Sequence, residues 1–332
     1  MSTGLLDRFG RRHDNLRLSV TDRCNIRCFY CMPEDNPHYM PRAELLSFEE
    51  IVRFVRVAAG LGVTKLRLTG GEPLVRRDLP ELVRQLRAVP GIVDIAMTTN
   101  GLLLAGAAAE LKAAGLSRLT VHLDSLDRER FHRIVRRDAL DQVQAGIAAA
   151  EAAGFGTIKI NAVAIKGLTE PDIVPLGEYA RRSGHEVRFI EYMPLDADHG
   201  WRRDQVLLAD DILAALAAGI GPLEPVPDAD PRAPAQEYRF TDGIGRIGVI
   251  ASISRPFCGN CNRIRLTADG KLRNCLFALG EADVRALLRG GADDAAIAAL
   301  LQGNVADKWE GHEINNPKKF HQPDRPMHAI GG

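Results

Sequence analysis

Long apolar runs, an excess of charge of one sign and a secretory leader are all missing from this sequence. No stretch approaches the roughly 18 apolar residues of a membrane-spanning helix, and residues 1–10 have neither the apolar run nor the cleavage site of a signal peptide. Lys and Arg together number 43, as do Asp and Glu, so no global field draws the chain to nucleic acid or to a membrane. We therefore expect a cytoplasmic protein whose functional charges are local.

Cysteine is scarce, and its placement is informative. The 332 residues include only six cysteines, which form two groups. A reducing compartment keeps thiols free, so the groups indicate metal ligands rather than disulfides. With 45% hydrophobic residues, the chain can bury one large core with an appendage.

The predicted fold is an α/β partial barrel. From Asn15 to about Met193, short apolar runs alternate with helical patterns, as in βα units. Strands are predicted at Leu16–Val20, Lys65–Leu68, Ile92–Met97, Leu119–Leu123, Ile158–Ala164 and Val187–Glu191. Helices are predicted between them at Phe48–Ala59, Leu79–Ala88, Ala105–Ala114, Leu140–Ala153 and Asp172–Arg182. Such units form a parallel sheet, and six fall short of the eight that close a TIM barrel, so we expect an open (β/α)6 TIM-like barrel with functional groups on the loops after its strands.

The pattern changes after Pro194. A short helix is predicted near Asp210–Ala218, and the Pro- and Asp-rich segment 222–234 is interpreted as a linker or surface loop. Further on, Tyr238–Ile253 is predicted to be β-structure and Asp283–Gln302 to contain helices. We expect three parts, namely a barrel core over 1–194, a connecting segment over 195–235 and a small C-terminal α+β region over 236–332.

The first cysteine group is Cys24, Cys28 and Cys31, spaced C-x3-C-x2-C with Tyr30 just before the last thiol. A tetrahedral zinc site has four ligands and a ferredoxin-type cluster takes four thiolates, so three thiols leave one iron of a 4Fe-4S cluster open to a bound molecule. Structural zinc or scattered core thiols are the alternatives. The segment resembles the radical S-adenosylmethionine enzymes, in which the open iron binds the amino and carboxylate groups of that cosubstrate.

A glycine pair follows the second predicted strand, in Gly70-Gly71-Glu72-Pro73. Glycine lets backbone approach a ligand closely, although these four residues alone are also compatible with a plain turn. In radical S-adenosylmethionine enzymes a similar loop contacts the methionyl amino group. Its position after a strand and after the cysteine group favours that interpretation.

The second cysteine group is Cys258, Cys261 and Cys275, spaced C-x2-C-x13-C. It again supplies three thiols. A zinc site is the alternative to an iron–sulfur cluster, and the histidines available to complete it are His312, His321 and His328.

Seven basic residues lie on predicted strands or between the C-terminal thiols. They are Arg17, Lys65, Arg67, Lys159, Arg188, Arg263 and Arg265. Charges within parallel strands are costly unless they are paired or face a cavity. Salt bridges or rim positions would explain any one of them, but the whole set indicates a polyanion site, in which Arg gives bidentate contacts that Lys cannot.

From end to end the chain resembles the GTP 3′,8-cyclase family of molybdenum cofactor biosynthesis. The resemblance rests on both cysteine groups and on the segments 67–79, 98–101, 188–193 and 330–332. It implies that S-adenosylmethionine is cleaved reductively at the first cluster and that the 5′-deoxyadenosyl radical removes hydrogen from C3′ of the GTP ribose. The ribosyl radical then closes onto C8 of guanine, and a second reduction gives 3′,8-cyclo-7,8-dihydro-GTP.

The resemblance also implies cofactors and partners. Two 4Fe-4S clusters are expected, and the open iron of the second contacts guanine. The electron donor would be flavodoxin-like or ferredoxin-like, and the product would pass to a separate cyclic pyranopterin monophosphate synthase. Homodimers are usual in the family.

Residue roles follow from matching positions to the family. GTP contacts fall on Arg17, Arg67, Thr98, Lys159, Arg263 and Arg265, to which Lys65 and Arg188 are added as strand-borne cations. Cosubstrate contacts fall on Tyr30, Gly71, His122 and Met193. Core packing is the alternative for Met193. The family commonly has Ser at the position of His122, so Ser125 could share that contact.

The last two residues complete the implied active site. In the family, the terminal Gly331-Gly332 reaches into the site, where residues without side chains can thread, whereas fraying is the ordinary fate of a terminus. We therefore group Gly331 and Gly332 with Arg17, Arg263 and Arg265 as catalytic residues.

Two other functions remain open at this stage. A radical S-adenosylmethionine enzyme that matures peptides would also carry extra C-terminal cysteines, although usually more than three. A non-enzymatic iron–sulfur or zinc scaffold would have no use for the strand-borne cations or for the glycine loop.

Overall fold

One mixed sheet organises the protein. The computed structural model describes residues 4–33, 35, 37–316 and 318–331. Its twelve strands are β1 (Asn15–Ser19), β2 (Lys65–Thr69), β3 (Asp94–Thr99), β4 (Arg118–His122), β5 (Lys159–Ala164), β6 (Glu186–Glu191), β7 (Leu223–Pro225), β8 (Gln236–Phe240), β9 (Arg246–Ile250), β10 (Arg263–Leu266), β11 (Lys271–Arg273) and β12 (Ala282–Asp283). They are ordered β12-β11-β10-β1-β2-β3-β4-β5-β6-β9-β8-β7.

The sheet is parallel from β10 to β9 and antiparallel at both edges. On one edge β11 and β12 continue from β10, and on the other β8 and β7 continue from β9. Strands β1 to β6 are the six predicted ones, with ends shifted by two residues or fewer. The fold class is confirmed as an α/β partial barrel that does not close. Strands of the C-terminal region extend the core sheet, because β10 pairs with β1 and β9 pairs with β6.

Helices cover the sheet. They are α1 (Phe48–Gly60), α2 (Leu79–Arg87), α3 (Leu104–Ala113), α4 (Arg128–Val135), α5 (Leu140–Ala152), α6 (Ile173–Ser183), α7 (Ala209–Gly219), α8 (Val284–Arg289), α9 (Asp294–Ala306) and α10 (Met327–Ile330). Helix α1 shows why they form where they do. Ser47 and Glu50 make a capping box at its start, and Ile51, Phe54 and Val55 turn one apolar face to the core. In the described part of the chain, no helix combines the length and apolar composition needed to cross a bilayer.

Several elements differ from the sequence prediction, which contained neither β10 to β12 nor α10. Helix α4 was not predicted; it begins where the Asp127 carboxylate accepts a hydrogen bond from the Arg130 amide. The Pro-rich segment 222–234 is not all loop, because it starts with the short strand β7. A proline is tolerated there since β7 is an edge strand, which can lack one ladder donor.

Alternation along the strands creates an inner polar face. Leu16 and Leu18 of β1 and Leu66 and Leu68 of β2 are fully buried against the helices, and burial of each contributes about 2 kcal/mol. Successive side chains point to opposite faces of a strand. The residues between them, including Arg17, therefore face the interior of the partial barrel, which we call the lumen.

Candidate active site

The first cysteine group lies in a cavity at the carboxyl ends of the strands. The same cavity is lined by the predicted cosubstrate contacts Tyr30, Gly71, His122 and Met193, and also by Thr98 and Met327. All three thiols are free. Burial raises the pKa of Cys24 to about 11, so the thiolate form requires a compensating positive charge, such as iron.

The glycine loop supports the cysteine loop directly. The Gly71 amide donates to the Thr21 carbonyl at 2.8 Å and the Glu72 amide donates to the Arg23 carbonyl at 2.7 Å. A Cβ atom on Gly71 would lie 2.4 Å from the Arg23 carbonyl oxygen. The sequence predicted that glycine here serves close approach to a ligand. In the structure, the close approach at Gly71 is to the backbone of the cysteine loop.

Glu72 connects the glycine loop to the loop after β3. Its carboxylate accepts hydrogen bonds from the Thr99 hydroxyl at 2.7 Å and from the Asn100 amide at 2.7 Å. The Asn100 side chain in turn donates to Asn25 Oδ1 at 2.7 Å, beside Cys24. Burial outweighs these donors and raises the pKa of Glu72 from 4.5 to about 7.

Glu72→Gln is expected to remove a pH dependence from the stability of the metal-free protein. Because the folded-state pKa is raised, the folded protein holds a proton that the unfolded chain has lost between pH 4.5 and about 7. The free energy of unfolding of the wild type should fall by about 3 kcal/mol, relative to the variant, as the pH rises through that window. Denaturant titrations at pH 5 and pH 8 measure this difference. Glu81→Gln, at an exposed site, should keep the wild-type slope.

Tyr30 is held at the cavity wall by a hydrogen bond to Asp124. Its hydroxyl donates to Asp124 Oδ2 at 2.7 Å, and Asp124 Oδ1 accepts from the Val163 amide at 2.8 Å. Burial raises the pKa of both Tyr30 and Asp124. This chain of contacts ties the cysteine loop to β5.

Two buried polar atoms beside the cavity lack protein partners. They are His122 Nδ1 and Asn161 Oδ1, which have no hydrogen-bond partner among the described residues. Their residues are register neighbours on β4 and β5. Burial lowers the pKa of His122, which favours the neutral imidazole. Such orphaned atoms are costly unless a ligand or water satisfies them, so this corner fits a polar ligand. Asn161 was not selected from the sequence, although its position on the inner face of a predicted strand is a usable signal.

Three arginines lie side by side across the lumen. Arg17 of β1 is the register partner of Arg265 on β10 and of Arg67 on β2. Like charges at directly opposite positions repel one another. Burial and then the neighbouring Arg265, Arg263 and Arg67 lower the pKa of Arg17. The row therefore has an excess of positive charge that a bound anion would neutralise.

The other predicted cations differ in their pairing. Arg67 donates to Thr98 Oγ1 at 3.2 Å and so joins the row to the cavity. Lys159 Nζ lies 3.5 Å from Glu186, and Arg188 Nε donates to the same carboxylate at 2.5 Å. Lys159 and Arg188 are thus both ion-paired with Glu186. This is the salt-bridge alternative that the sequence analysis gave for any one of the basic residues. Lys65 on β2 and Arg263 on β10 are both register partners of Asn15 on β1. The two cations therefore lie on either side of this residue.

The second cysteine group lies on the β10 side of the lumen. Its three thiols are free and partly buried. Arg263 Nη2 donates to Cys261 Sγ at 3.2 Å. Although burial opposes it, Arg263 and Lys308 lower the pKa of Cys261 to about 6, which favours the thiolate that binds metal. The N-terminal segment contacts the second cysteine group, because Arg11 Nη1 donates a hydrogen bond to the Cys258 carbonyl at 2.7 Å.

Among residues 4–33, 35, 37–316 and 318–331, no three His, Cys, Asp or Glu side chains form a group that could hold one metal ion. In a 4Fe-4S cluster each thiolate binds a different iron.

The C-terminal tail enters the lumen. The Gly331 carbonyl accepts a hydrogen bond from Arg265 Nη1 at 2.6 Å. Gly331 has φ +87°, and a Cβ atom there would lie 2.7 Å from Ser19 Cβ and 2.9 Å from Thr69 Oγ1. Only glycine fits this position. The companion prediction for Gly332 falls outside the described residues.

Comparison with known proteins identifies the family. Residues 18–180 match the Radical SAM superfamily and residues 185–314 match Molybdenum Cofactor Synthesis C. The GTP 3′,8-cyclase of Rhodopirellula baltica is 50% identical, over 99% of this chain and 92% of its own length. The GTP 3′,8-cyclase of Mycobacterium sp. strain KMS is 51% identical, over 99% of this chain and 93% of its own. The chain belongs to the GTP 3′,8-cyclase family.

Solved structures of other proteins share the fold of this chain. Streptococcus suis SuiB bound to S-adenosylmethionine is 15% identical, with a TM-score of 0.59 over 96% of this chain and 77% of its own. SuiB bound to the precursor peptide SuiA gives a TM-score of 0.62 at 15% identity, over 96% of this chain and 76% of its own. Membership of the superfamily implies S-adenosylmethionine and a 4Fe-4S cluster, for which the cavity holding Cys24, Cys28 and Cys31 has suitable donors.

Proposed function

We propose that the protein converts GTP to 3′,8-cyclo-7,8-dihydro-GTP by radical S-adenosylmethionine chemistry, the first step of molybdenum cofactor biosynthesis. The observation that carries the proposal is the arginine row of Arg265, Arg17 and Arg67, which adjoins a three-thiol cavity. A triphosphate supplies the negative charge that this row lacks. The relatives that share half of the sequence are named GTP 3′,8-cyclase.

The first cysteine group would hold the radical-forming cluster. When bound at Cys24, Cys28 and Cys31, a 4Fe-4S cluster supplies the electron that cleaves S-adenosylmethionine. Tyr30 and Gly71 would position the cosubstrate at the cavity wall, with Met193 against its apolar part. His122, being neutral, can donate or accept one hydrogen bond there without adding charge.

The arginine row would bind the nucleotide. Arg17, Arg67 and Arg265 would contact phosphate or ribose, and Thr98 would place the ribose near the cosubstrate, since Arg67 holds its hydroxyl. Lys65, Lys159, Arg188 and Arg263 would extend the cationic surface. Lys159 and Arg188 share Glu186, so a phosphate would compete with that carboxylate for them.

A second 4Fe-4S cluster at Cys258, Cys261 and Cys275 would orient guanine through its open iron. The donor set supports this, because Cys261 is already biased toward thiolate. In this scheme Arg265 and Arg263 lie between the cluster and the nucleotide, and Gly331 closes the lumen from above Ser19 and Thr69.

The remaining expectations complete the proposal. The protein would work in the cytoplasm with a flavodoxin-like or ferredoxin-like electron donor, pass its product to cyclic pyranopterin monophosphate synthase and form a homodimer. Its functional parts would be the barrel core over 1–194, the connecting segment over 195–235 and the auxiliary-cluster region over 236–332.

One anaerobic assay tests the function. Reconstituted protein is incubated with S-adenosylmethionine, a reductant and GTP, and the products are separated by chromatography with mass detection. We expect 5′-deoxyadenosine together with a cyclised GTP product. Deoxyadenosine without GTP conversion would point to another substrate class, such as a peptide, and absence of deoxyadenosine would contradict radical chemistry.

Arg17→Met is expected to weaken GTP binding and to stabilise the ligand-free fold. Loss of one charge-assisted contact costs about 1.5–3 kcal/mol of binding free energy, which corresponds to roughly a 10-fold to 100-fold rise in Kd. Removing the middle arginine also relieves repulsion within the row, so the melting temperature without GTP should rise. Calorimetric titration and thermal melts measure the two effects.

Arg84→Met is the matched control for that experiment, because Arg84 is a half-exposed arginine on α2 that pairs with Glu81. It should change neither quantity appreciably. A fall in the stability of the ligand-free Arg17→Met protein, with unchanged GTP affinity, would instead favour a structural role for Arg17.

A further inference from the structure

Lys308 is a buried lysine beside the second cysteine group. It follows α9, and its amide donates to the Val305 carbonyl at 3.0 Å, which continues the last helical turn. The residue is only 3% exposed. Its Nζ donates to the Arg263 carbonyl at 2.7 Å and to Cys261 Sγ at 3.4 Å. The ammonium is therefore fixed between a strand and a thiol.

The surroundings of Lys308 do not neutralise it with a carboxylate. In the described part of the chain no Asp or Glu forms an ion pair with it, and the sulfur within hydrogen-bond distance of its Nζ is that of Cys261. A buried ammonium is costly unless a negatively charged partner lies beside it. The Cys261 sulfur, as a thiolate, provides that partner.

We propose that Lys308 sets the reduction potential of the second 4Fe-4S cluster by holding a positive charge and an N–H donor against the Cys261 sulfur. The inference rests on the second cluster of the proposed function. One-electron reduction adds a negative charge to the cluster, so a fixed cation nearby favours the reduced form. Hydrogen bonds to ligand sulfurs and local charge are known determinants of cluster potentials.

Arg263 also contacts Cys261, but its situation differs. It lines the proposed nucleotide site, and its side chain is partly exposed to the lumen, so bound substrate can draw it away from the sulfur. Lys308 is enclosed and anchored to a backbone carbonyl. Its influence on the cluster should therefore persist with or without nucleotide, and it acts through the cluster rather than on the substrate.

The experiment isolates the second cluster. In a full-length chain carrying Cys24→Ala, Cys28→Ala and Cys31→Ala, reconstitution should leave about four irons per chain, all at the C-terminal site. Redox titration followed by electron paramagnetic resonance then gives its midpoint potential. Lys308→Met, which keeps the length of the side chain and removes the charge, should shift the midpoint to a lower potential. Lys308→Arg, which keeps the charge, should have a midpoint potential close to that of the protein with Lys308.

Lys112→Met is the matched control, since Lys112 lies on α3 over the Phe155 ring and its loss removes one charge far from the thiols. It should leave the potential unchanged. If Lys308→Met fails to retain iron, Lys308→Gln, which keeps an N–H donor, is titrated in its place, and the same direction of shift is expected.

Two results would overturn the inference, and they are distinguishable. An unchanged midpoint in a Lys308→Met or Lys308→Gln protein that holds four irons would reject the role of Lys308 alone. Absence of iron from the triple-cysteine variant with Lys308 intact would reject the second cluster of the proposed function.

Discussion

Cys28→Ala is expected to abolish formation of 5′-deoxyadenosine while leaving the fold intact. Cys28 is the most buried thiol of its group, at 9% exposure, and packs against the main core. Alanine keeps the Cβ atom and loses one sulfur, so the cavity left behind is small. With only two of three ligands remaining, the radical-forming cluster should not be retained, and iron should fall from about eight to about four per chain.

Iron analysis, circular dichroism and product chromatography measure these changes together. Cys275→Ala is the matched control because it also removes one thiol and should also leave about four irons. It should still cleave S-adenosylmethionine to some extent but should not cyclise GTP. Deoxyadenosine formation by Cys28→Ala at the wild-type rate would contradict the assignment of the first group as the site of radical formation.

Gly331→Ala is expected to lower turnover at least tenfold without loss of either cluster. Alanine at φ +87° costs about 1–2 kcal/mol in backbone strain, and its Cβ atom would overlap Ser19 and Thr69. The tail would have to withdraw, which would break the hydrogen bond between Arg265 and the Gly331 carbonyl. A tenfold loss corresponds to about 1.4 kcal/mol of transition-state stabilisation.

Gly291→Ala is the control that separates the effect of backbone strain from the effect of the steric clash at residue 331. Gly291 has a similar φ of +76°, but a Cβ atom there meets nothing within 4 Å, so this variant should lose some stability and keep full turnover. Steady-state rates and iron content of the two variants give the comparison. Equal turnover in Gly331→Ala and wild type would mean that the tail has no part in catalysis.

The barrel strands were predictable from two sequence signals. These are apolar residues at alternate positions and turn residues at the strand ends. Arg17, for example, stands between Leu16 and Leu18 in a strict two-residue alternation, flanked by polar turns, and the structure buries both leucines and turns the arginine inward. The cysteine groups were equally accessible, because the members of each group lie close together in the chain. Local patterns therefore revealed both the sheet and the thiols.

What could not be predicted depends on contacts between distant segments. Lys308 stands between Asp307 and Trp309 in a mixed polar stretch that looks like a surface turn, and only the fold brings it to Cys261. The pairing of Lys159 and Arg188 with Glu186 was likewise hidden, although Glu186 and Arg188, two apart on one strand, share a face. The close approach of Gly71 to the Arg23 backbone was also not predicted.

The two ends of the chain hold each other's thiols in place. Near the start, Arg11 donates to the carbonyl of Cys258, and near the finish, His328 Nδ1 lies 3.3 Å from the carbonyl of Cys31. During synthesis on a ribosome, the first cysteine loop therefore emerges long before the residues that close over it. The contact of His328 with the Cys31 carbonyl joins residues 297 apart in the chain, so it can form only after the first cysteine loop has been synthesised.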